Sequence, residues 1–356
     1  MAKIMEQGKP AKCNYRSVKY SHIAVNPDEM SVLTADPWSY LHGDLLKKVK
    51  KSAGENRKGF ERANYYSKLA EDFYSAAESV EILTKGTLYY YGMMNLVKAY
   101  LATQRVSLED IVEHHGITNT HGRKHSLTIS GSLKNCTNIF LEFAKLLGTP
   151  VTGKQEINIR HIFTHIPELH AISTSMGFVK KPRLLPINIE FMVNSSNTHV
   201  FTEVVFDKSF ENICDTNKFF QGNRKKYFKE GAPREGKIVY RSEKNKSLSK
   251  ENWPRVYKNI VNEYSKFNIT SILTRTGYRY YCSLQDSNFH YLCNSYLIMF
   301  YIGHAARYRP TEMKEILEGE FRPIVTEALA LCPKQFLYQL VSLITNKICV
   351  IPYSDF

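Results

Sequence analysis

Acidic residues are in short supply in this chain of 356 residues: 34 Asp and Glu stand against 48 Lys and Arg, a formal charge of +14. Tryptophan is scarcer still, with 2 residues against 23 Tyr and 19 Phe, so a core built from aromatic rings must find partners for many buried hydroxyls. No stretch reaches the roughly 18 unbroken apolar residues of a membrane span, and the first residues lack a signal-peptide pattern, so a cytoplasmic protein is expected. The 7 cysteines include no C-x-x-C pair, which removes the common zinc and dithiol frameworks and leaves reduced core thiols as the expectation. Phosphate-cradling glycine loops, dinucleotide fingerprints and a G-x-S-x-G elbow are likewise missing from the sequence, and with them the sequence support for most familiar enzyme classes. No cofactor and no metal is expected.

What is present divides the chain into four stretches. Residues 1–59, with Pro10, Pro27 and Pro37 and no sustained period, read as an extended arm and linker. Residues 60–150 read as a helical region: Phe60, Ala63, Tyr66, Ala70, Phe73, Ala77 and Val80 recur every three or four positions, which puts them on one face of a helix. Thr87–Ala102 follows, apolar nearly all round, and Gly92 inside it predicts close approach of a neighbouring helix to offset its conformational cost. The N-cap pattern at Ser107–Asp110 predicts a short helix ending at Gly116, and a further helix is expected over about Leu133–Leu147.

Residues 151–285 read as a β-containing insertion. Leu185–Val193 and Thr198–Phe206 alternate on either side of Asn194–Asn197, as a hairpin does, and Lys237–Arg241, Ser271–Thr274 and Tyr278–Ser283 add strands. Within 222–258 there are twelve Lys/Arg and four Asp/Glu, more than half the net charge, and this basic stretch is expected as a long loop. Residues 286–356 return to helix, with breaks expected at Gly319 and at Cys332–Pro333. The fold class is therefore α+β, mainly α, with N- and C-terminal helices forming a bundle around a β-containing insertion.

Clustered cations neutralise phosphates and release their counterions, so Arg224, Lys225, Lys226 and Lys229 of the basic stretch are candidate nucleic-acid contacts. Arg123 and Lys124 end a loop holding His114, His115, His121 and His125, and Arg307 and Arg309 flank Tyr308 at the end of a buried helix; these four cations are the other candidates. Bland alternatives stand beside each: a solvated basic loop, histidines that cap neighbouring helices, and arginines that complement the negative end of a helix or stack on rings. Lys98 in its apolar helix calls for an acidic partner.

The segment Tyr-Tyr-Gly-Met-Met-Asn-Leu-Val-Lys-Ala at 90–99, His115-Gly116, His165-Ile-Pro-Glu-Leu169 and His304-Ala-Ala-Arg-Tyr-Arg-Pro310 resemble, in order, elements of the YaaC-like family of bacterial proteins. That resemblance implies relatives and no particular reaction. In outline residues 60–125 are also similar to HEPN-type helical domains, which include RNA-cutting toxins and noncatalytic binding modules, often in antiphage defence. HEPN ribonucleases pair an Arg with a His four to six residues on; Arg160 and His165 fit, as do Arg16 and His22. By that resemblance Arg160 would hold the scissile phosphate and His165 would handle the 2′-hydroxyl proton without a metal. Three readings follow: an RNA- or DNA-associated binding or effector component, RNA first; a noncatalytic subunit with a protein partner or a second copy of itself; and a ribonuclease using Arg160 and His165.

Overall fold

The computed structural model describes residues 8–109, 111–132, 134–180, 183–216, 226–249, 251–264, 267, 269–284 and 289–352. The chain forms two compact units, and each is discontinuous: residues 1–32 join 182–286 in one, and residues 33–181 join 287–356 in the other. No helix among the described residues is long and apolar enough to cross a membrane.

Helix begins well before residue 60. Helix α1 runs Pro37–Lys51 and α2 runs Gly54–Glu78, so only part of the expected arm is extended. The sequence reason is local. Asp36 Oδ1 accepts from the backbone N–H of Trp38 at 3.1 Å and of Ser39 at 3.3 Å, and Pro37 takes the first helical position, where its missing N–H costs nothing. Pro37, Leu41 and Leu45 then bury one stripe. Asp36→Ala is expected to lower unfolding free energy by about 1 kcal/mol in urea titrations, as the loss of such a cap does; an unchanged midpoint would mean the cap contributes nothing.

Helix α3 (Ile82–Thr103) packs on α2, and the expected close approach at Gly92 is real: a Cβ there would meet Tyr74 Cδ2 of α2 at 2.6 Å. The following residues do not form the expected helix from Ser107. Glu109 has φ 71°, and Val112–His114 instead pairs in parallel with Cys136–Asn138, while Ile117–Asn119, Ser126–Ile129 and Gln155–Asn158 form a small antiparallel sheet. The cap-like side chains were there, but an αL backbone at Glu109 cannot continue a helix. Helix α4 (Ile139–Leu146) is correspondingly shorter than expected, capped by Asn138, whose Oδ1 accepts from Leu141 N at 3.1 Å. Helices α5 (Ile159–Phe163) and α6 (Pro167–Ser175) complete this half of the unit, so these two segments belong with the helices, outside the sheet-bearing unit.

The middle of the chain builds the other unit. Its sheet runs Phe228–Glu230, Lys237–Ser242, His199–Asp207, Leu184–Val193, Gly277–Ser283, Ile269–Thr274, antiparallel throughout. The expected hairpin stands at its centre, with Asn194 Oδ1 accepting from Thr198 N and His199 N at 2.9 and 3.0 Å. The N-terminal arm is part of this sheet, since Lys9 and Pro10 pair with Val193 and Met192, and Lys19 bridges to Glu190. Helix α7 (Glu211–Thr216) is short. Helix α8 (Trp253–Tyr264) covers one sheet face, placing Trp253, Val256, Tyr257, Ile260, Val261 and Tyr264 against Leu185, Ile187, Ile189, Phe191 and Val193. The three-and-four spacing of α8 meets the two-residue alternation of the strand, which is why both stripes are apolar. Among its described residues the basic stretch thus contains three strands and the first half of α8, where one long loop was expected.

The helical unit closes with α9 (Tyr291–Tyr308), α10 (Pro310–Glu318) and α11 (Arg322–Thr345). Helix α11 runs unbroken through Pro333, where two helices were expected. Phe336, Leu340, Val341 and Ile344 beyond the proline are buried with Ile324, Val325 and Ala328 before it, so packing on both sides outweighs the helix bond that proline deletes. Helix α3 packs against both α9 and α11, so the two tyrosine-rich segments are buried together. Helix α6 brings Glu168 to α9, where the Tyr291 hydroxyl donates to its Oε1 at 3.0 Å. Cys282, Cys293, Cys332 and Cys349 are buried, as expected of core cysteines.

Candidate functional site

The end of α9 concentrates the polar groups that α3 and α9 otherwise exclude. Within it, His304, Arg307 and Tyr308 are spaced three and four apart and share a helix face. The Arg307 guanidinium lies 4.8 Å from the Tyr91 ring, 5.1 Å from Tyr308 and 5.5 Å from Tyr90. The His304 ring contacts Phe300 at 5.5 Å and Tyr308 at 5.0 Å. Tyr90 is fully buried, packed on Tyr296 and Phe300, and its hydroxyl lies 2.9 Å from His115 Nδ1. Next to it Lys98 finds the acid its apolar helix required: it pairs with Glu113, and its ammonium lies 5.2 Å from the Tyr66 ring.

Burial holds the imidazoles of His115 and His304 below the ordinary histidine range, and the positive charge of Arg307 pushes both further down. Arg307 is therefore close enough to bear on both rings. Neutral imidazoles each offer one donor and one acceptor, so this end of the helix presents groups suited to a hydroxyl as well as a cation suited to an anion.

A second cluster adjoins it through α10. His125, in the αL region at φ 56°, stacks on Phe321 with ring centres 4.4 Å apart, and its Nδ1 is 2.6 Å from the Tyr301 hydroxyl. That hydroxyl also lies 3.3 Å from Glu312 Oε1, and Arg309 Nη1 holds Glu312 Oε2 at 3.2 Å. Arg160 lies against Phe178 and Phe321, at 5.3 and 5.0 Å, with its Nη2 on Glu320 Oε1 at 2.8 Å. Burial lowers the pKa of His125 as well, with Glu312 opposing and Arg160 reinforcing the shift.

The cations expected from sequence separate by their partners. Arg123 pairs with Glu156 and Lys124 with Glu315, each at 2.8 Å, and Arg309 and Arg160 pair with Glu312 and Glu320. Lys229 lies 3.8 Å from Glu243. Lys226 stands 5.1 Å from the Tyr227 ring, at a cleft of about 470 Å³ shared with Lys244, Tyr264 and Phe267. Arg224 and Lys225 lie outside the described residues. Arg307 differs from Arg123, Lys124, Arg160 and Arg309: among the described residues it has no carboxylate partner, and its buried Nε has no hydrogen-bond acceptor.

Arg160 and His165 are near in sequence and differ in setting. The Arg160 side chain is 45% exposed, whereas His165 is 3% exposed with its Nε2 3.0 Å from His161 Nε2. One ring of that pair donates to the other. Among the described residues no group of three or more His, Cys, Asp or Glu is placed to hold a metal ion.

The buried pair of tyrosine-rich helices, the His115-Gly116 turn and the α9 end all fall inside one stretch that a family model recognises: the YaaC-like protein model matches residues 30–344. The chain belongs to the YaaC-like protein family. No curated protein and no solved structure matches it. For this YaaC-like chain the family match spans both units, including the sheet from residue 184 to 283 and the whole of the α9 site. His304 and Tyr90 went unnoticed as site residues in the sequence. The signal was available for His304, because His304-x-x-Arg307-Tyr308 is one helical face; Tyr90 and His115 meet only through tertiary structure.

Proposed function

We propose that this YaaC-like protein is an RNA-binding component that engages phosphate with Arg307 at the end of α9. The observation that carries the reading is the state of Arg307, a cation seated on three tyrosine rings with no carboxylate among the described residues. Carboxylate-paired arginines have their charge already met, while a guanidinium oriented by rings alone keeps its fork of donors for an incoming anion. The C-terminal end of a helix is negative and repels phosphate, so the adjacent Arg309 and Arg307 also serve to offset it. RNA is favoured over DNA because the neutral His115 can exchange hydrogen bonds with a 2′-hydroxyl, the group DNA lacks. In the sheet-bearing unit, Lys226 and Lys244 at their cleft support the same reading independently.

Fluorescence anisotropy with a labelled RNA at a series of salt concentrations tests this. Arg307→Ala is expected to weaken binding about tenfold and reduce the salt slope by about one phosphate contact, whereas Arg123→Ala, which removes a cation already paired with Glu156, leaves the slope nearly unchanged. Absence of binding by the wild-type chain at low salt, or equal binding by Arg307→Ala, would remove the reading.

A further inference from the structure

We infer that the α9 site takes an unpaired nucleotide of an RNA strand, stacking its base on Tyr308 while Arg307 holds the neighbouring phosphate. This rests on the RNA-binding reading and adds the form of the ligand.

Tyr308 is 66% exposed although it is a large ring on the last turn of a mostly buried helix. Two contacts fix it: the His304 ring at 5.0 Å and the Arg307 guanidinium at 5.1 Å. A ring supported by neighbours and largely open to solvent is a platform, and every nucleobase has a flat face that can lie on it. Bases inside a duplex are already stacked on both sides, so such a platform selects nucleotides that are not paired.

The two polar side chains beside the platform are partly exposed. Arg307 Nε and His304 Nδ1 are both buried without a hydrogen-bond partner among the described residues, and both lie on the face that carries Tyr308. These two atoms are covered and lie out of a ligand's reach, and the exposed remainder of each side chain is what meets it. Tyr90 and Phe300 beneath them are packed rings that hold the two side chains in position, so the site is prepared before the ligand arrives. A guanidinium beside an exposed ring and a neutral imidazole matches phosphate, base and ribose hydroxyl in turn, a combination that a purely apolar partner surface would leave unmet.

The test compares a labelled single-stranded RNA of about a dozen residues with a duplex of the same sequence, binding to the full chain. Wild type is expected to favour the single strand. Tyr308→Ala should weaken single-strand binding about 5- to 100-fold, the range for loss of one base stack, while Tyr308→Phe retains it and the thermal transition of each variant stays near wild type. A fluorescent base analogue in the strand should be quenched by wild type and not by Tyr308→Ala. If Arg307→Ala weakens strand and duplex alike while Tyr308→Ala changes neither, the phosphate contact stands and the stacked nucleotide is wrong. If a free mononucleotide competes as well as the strand, the ligand is not a strand and the inference falls. If no RNA binds at low salt, both this inference and the reading beneath it fail together.

Discussion

Replacing Glu168 with Gln is expected to change how stability varies with pH, so that the variant gains on wild type by roughly 3 kcal/mol between pH 4.5 and pH 8. Glu168 Oε2 is buried with no side-chain partner among the described residues, and burial pushes the acid from its ordinary 4.5 up to about 7, while its own backbone N–H and the hydroxyl of Tyr291 on Oε1 moderate the rise. Between those values the folded chain keeps a proton that the unfolded chain has released. Stability contributed by the neutral acid is therefore complete below about pH 4.5 and is lost as pH rises through about 7. His290 works in the opposite direction. Burial lowers it from 6.5 to about 4, and its Nδ1 accepts from Leu292 N at 3.2 Å at the start of α9, which a protonated ring cannot do. Its contribution is present above about pH 6.5 and is lost as pH falls through about 4. The two slopes nearly cancel in wild type, and Glu168→Gln uncovers the rising one. Urea unfolding at pH 4.5, 6 and 8 reads the difference directly; a constant gap between variant and wild type would show that Glu168 does not titrate in this range.

The second large effect is steric. Helices α3 and α9 touch at Gly86 and Gly303: a Cβ on Gly303 would come within 3.0 Å of Gly86 O, 3.2 Å of Thr87 Cα and 3.3 Å of Tyr90 Cβ. None of these can rotate away, because two are backbone and the third is the root of a buried ring. Gly303→Ala is therefore expected to destabilise by about 1–3 kcal/mol, although alanine is the better helix former. Gly43 in α1 supplies the contrast, since a Cβ there meets nothing within 4 Å, and Gly43→Ala should stabilise by up to about 1 kcal/mol. Differential scanning calorimetry of the two variants should move in opposite directions. A Gly303→Ala transition at or above the wild-type temperature would mean that the helices separate at little cost.

These features differ in how visible they were before folding. The central hairpin was legible because alternation at 185–193 and 198–206 and the asparagines between them are local signals. Gly92 was legible for the same reason, as a residue whose helical cost needs an explanation nearby. The N-terminal arm was not, because Lys9 and Pro10 become a strand only through a partner more than 180 residues away. Pro333 misled because the proline is local and the packing that overrides it is not. In the candidate site, Arg307, Arg309, Arg123, Lys124 and Arg160 were all legible as cations. Their distinction into paired and unpaired was not, since Glu156, Glu315 and Glu320 reach them only in the folded chain.

The interleaving of the two units bears on how the protein can be made and cut. The first strand of the sheet emerges from the ribosome before any of α1 to α6, yet its partners follow roughly 180 residues later, and the helices in turn wait for α9 and α11 at the far end. Neither unit can be completed early in synthesis, so each holds exposed apolar surface until most of the chain exists. A recombinant fragment covering only the contiguous sheet segment would lack Ala11, Val18 and Tyr20 of its core, and the Tyr257 and Tyr280 hydroxyls would lose Lys19 O and Tyr20 O as acceptors. The sheet-bearing unit is obtained as a separate piece only by tethering residues 8–32 back onto it.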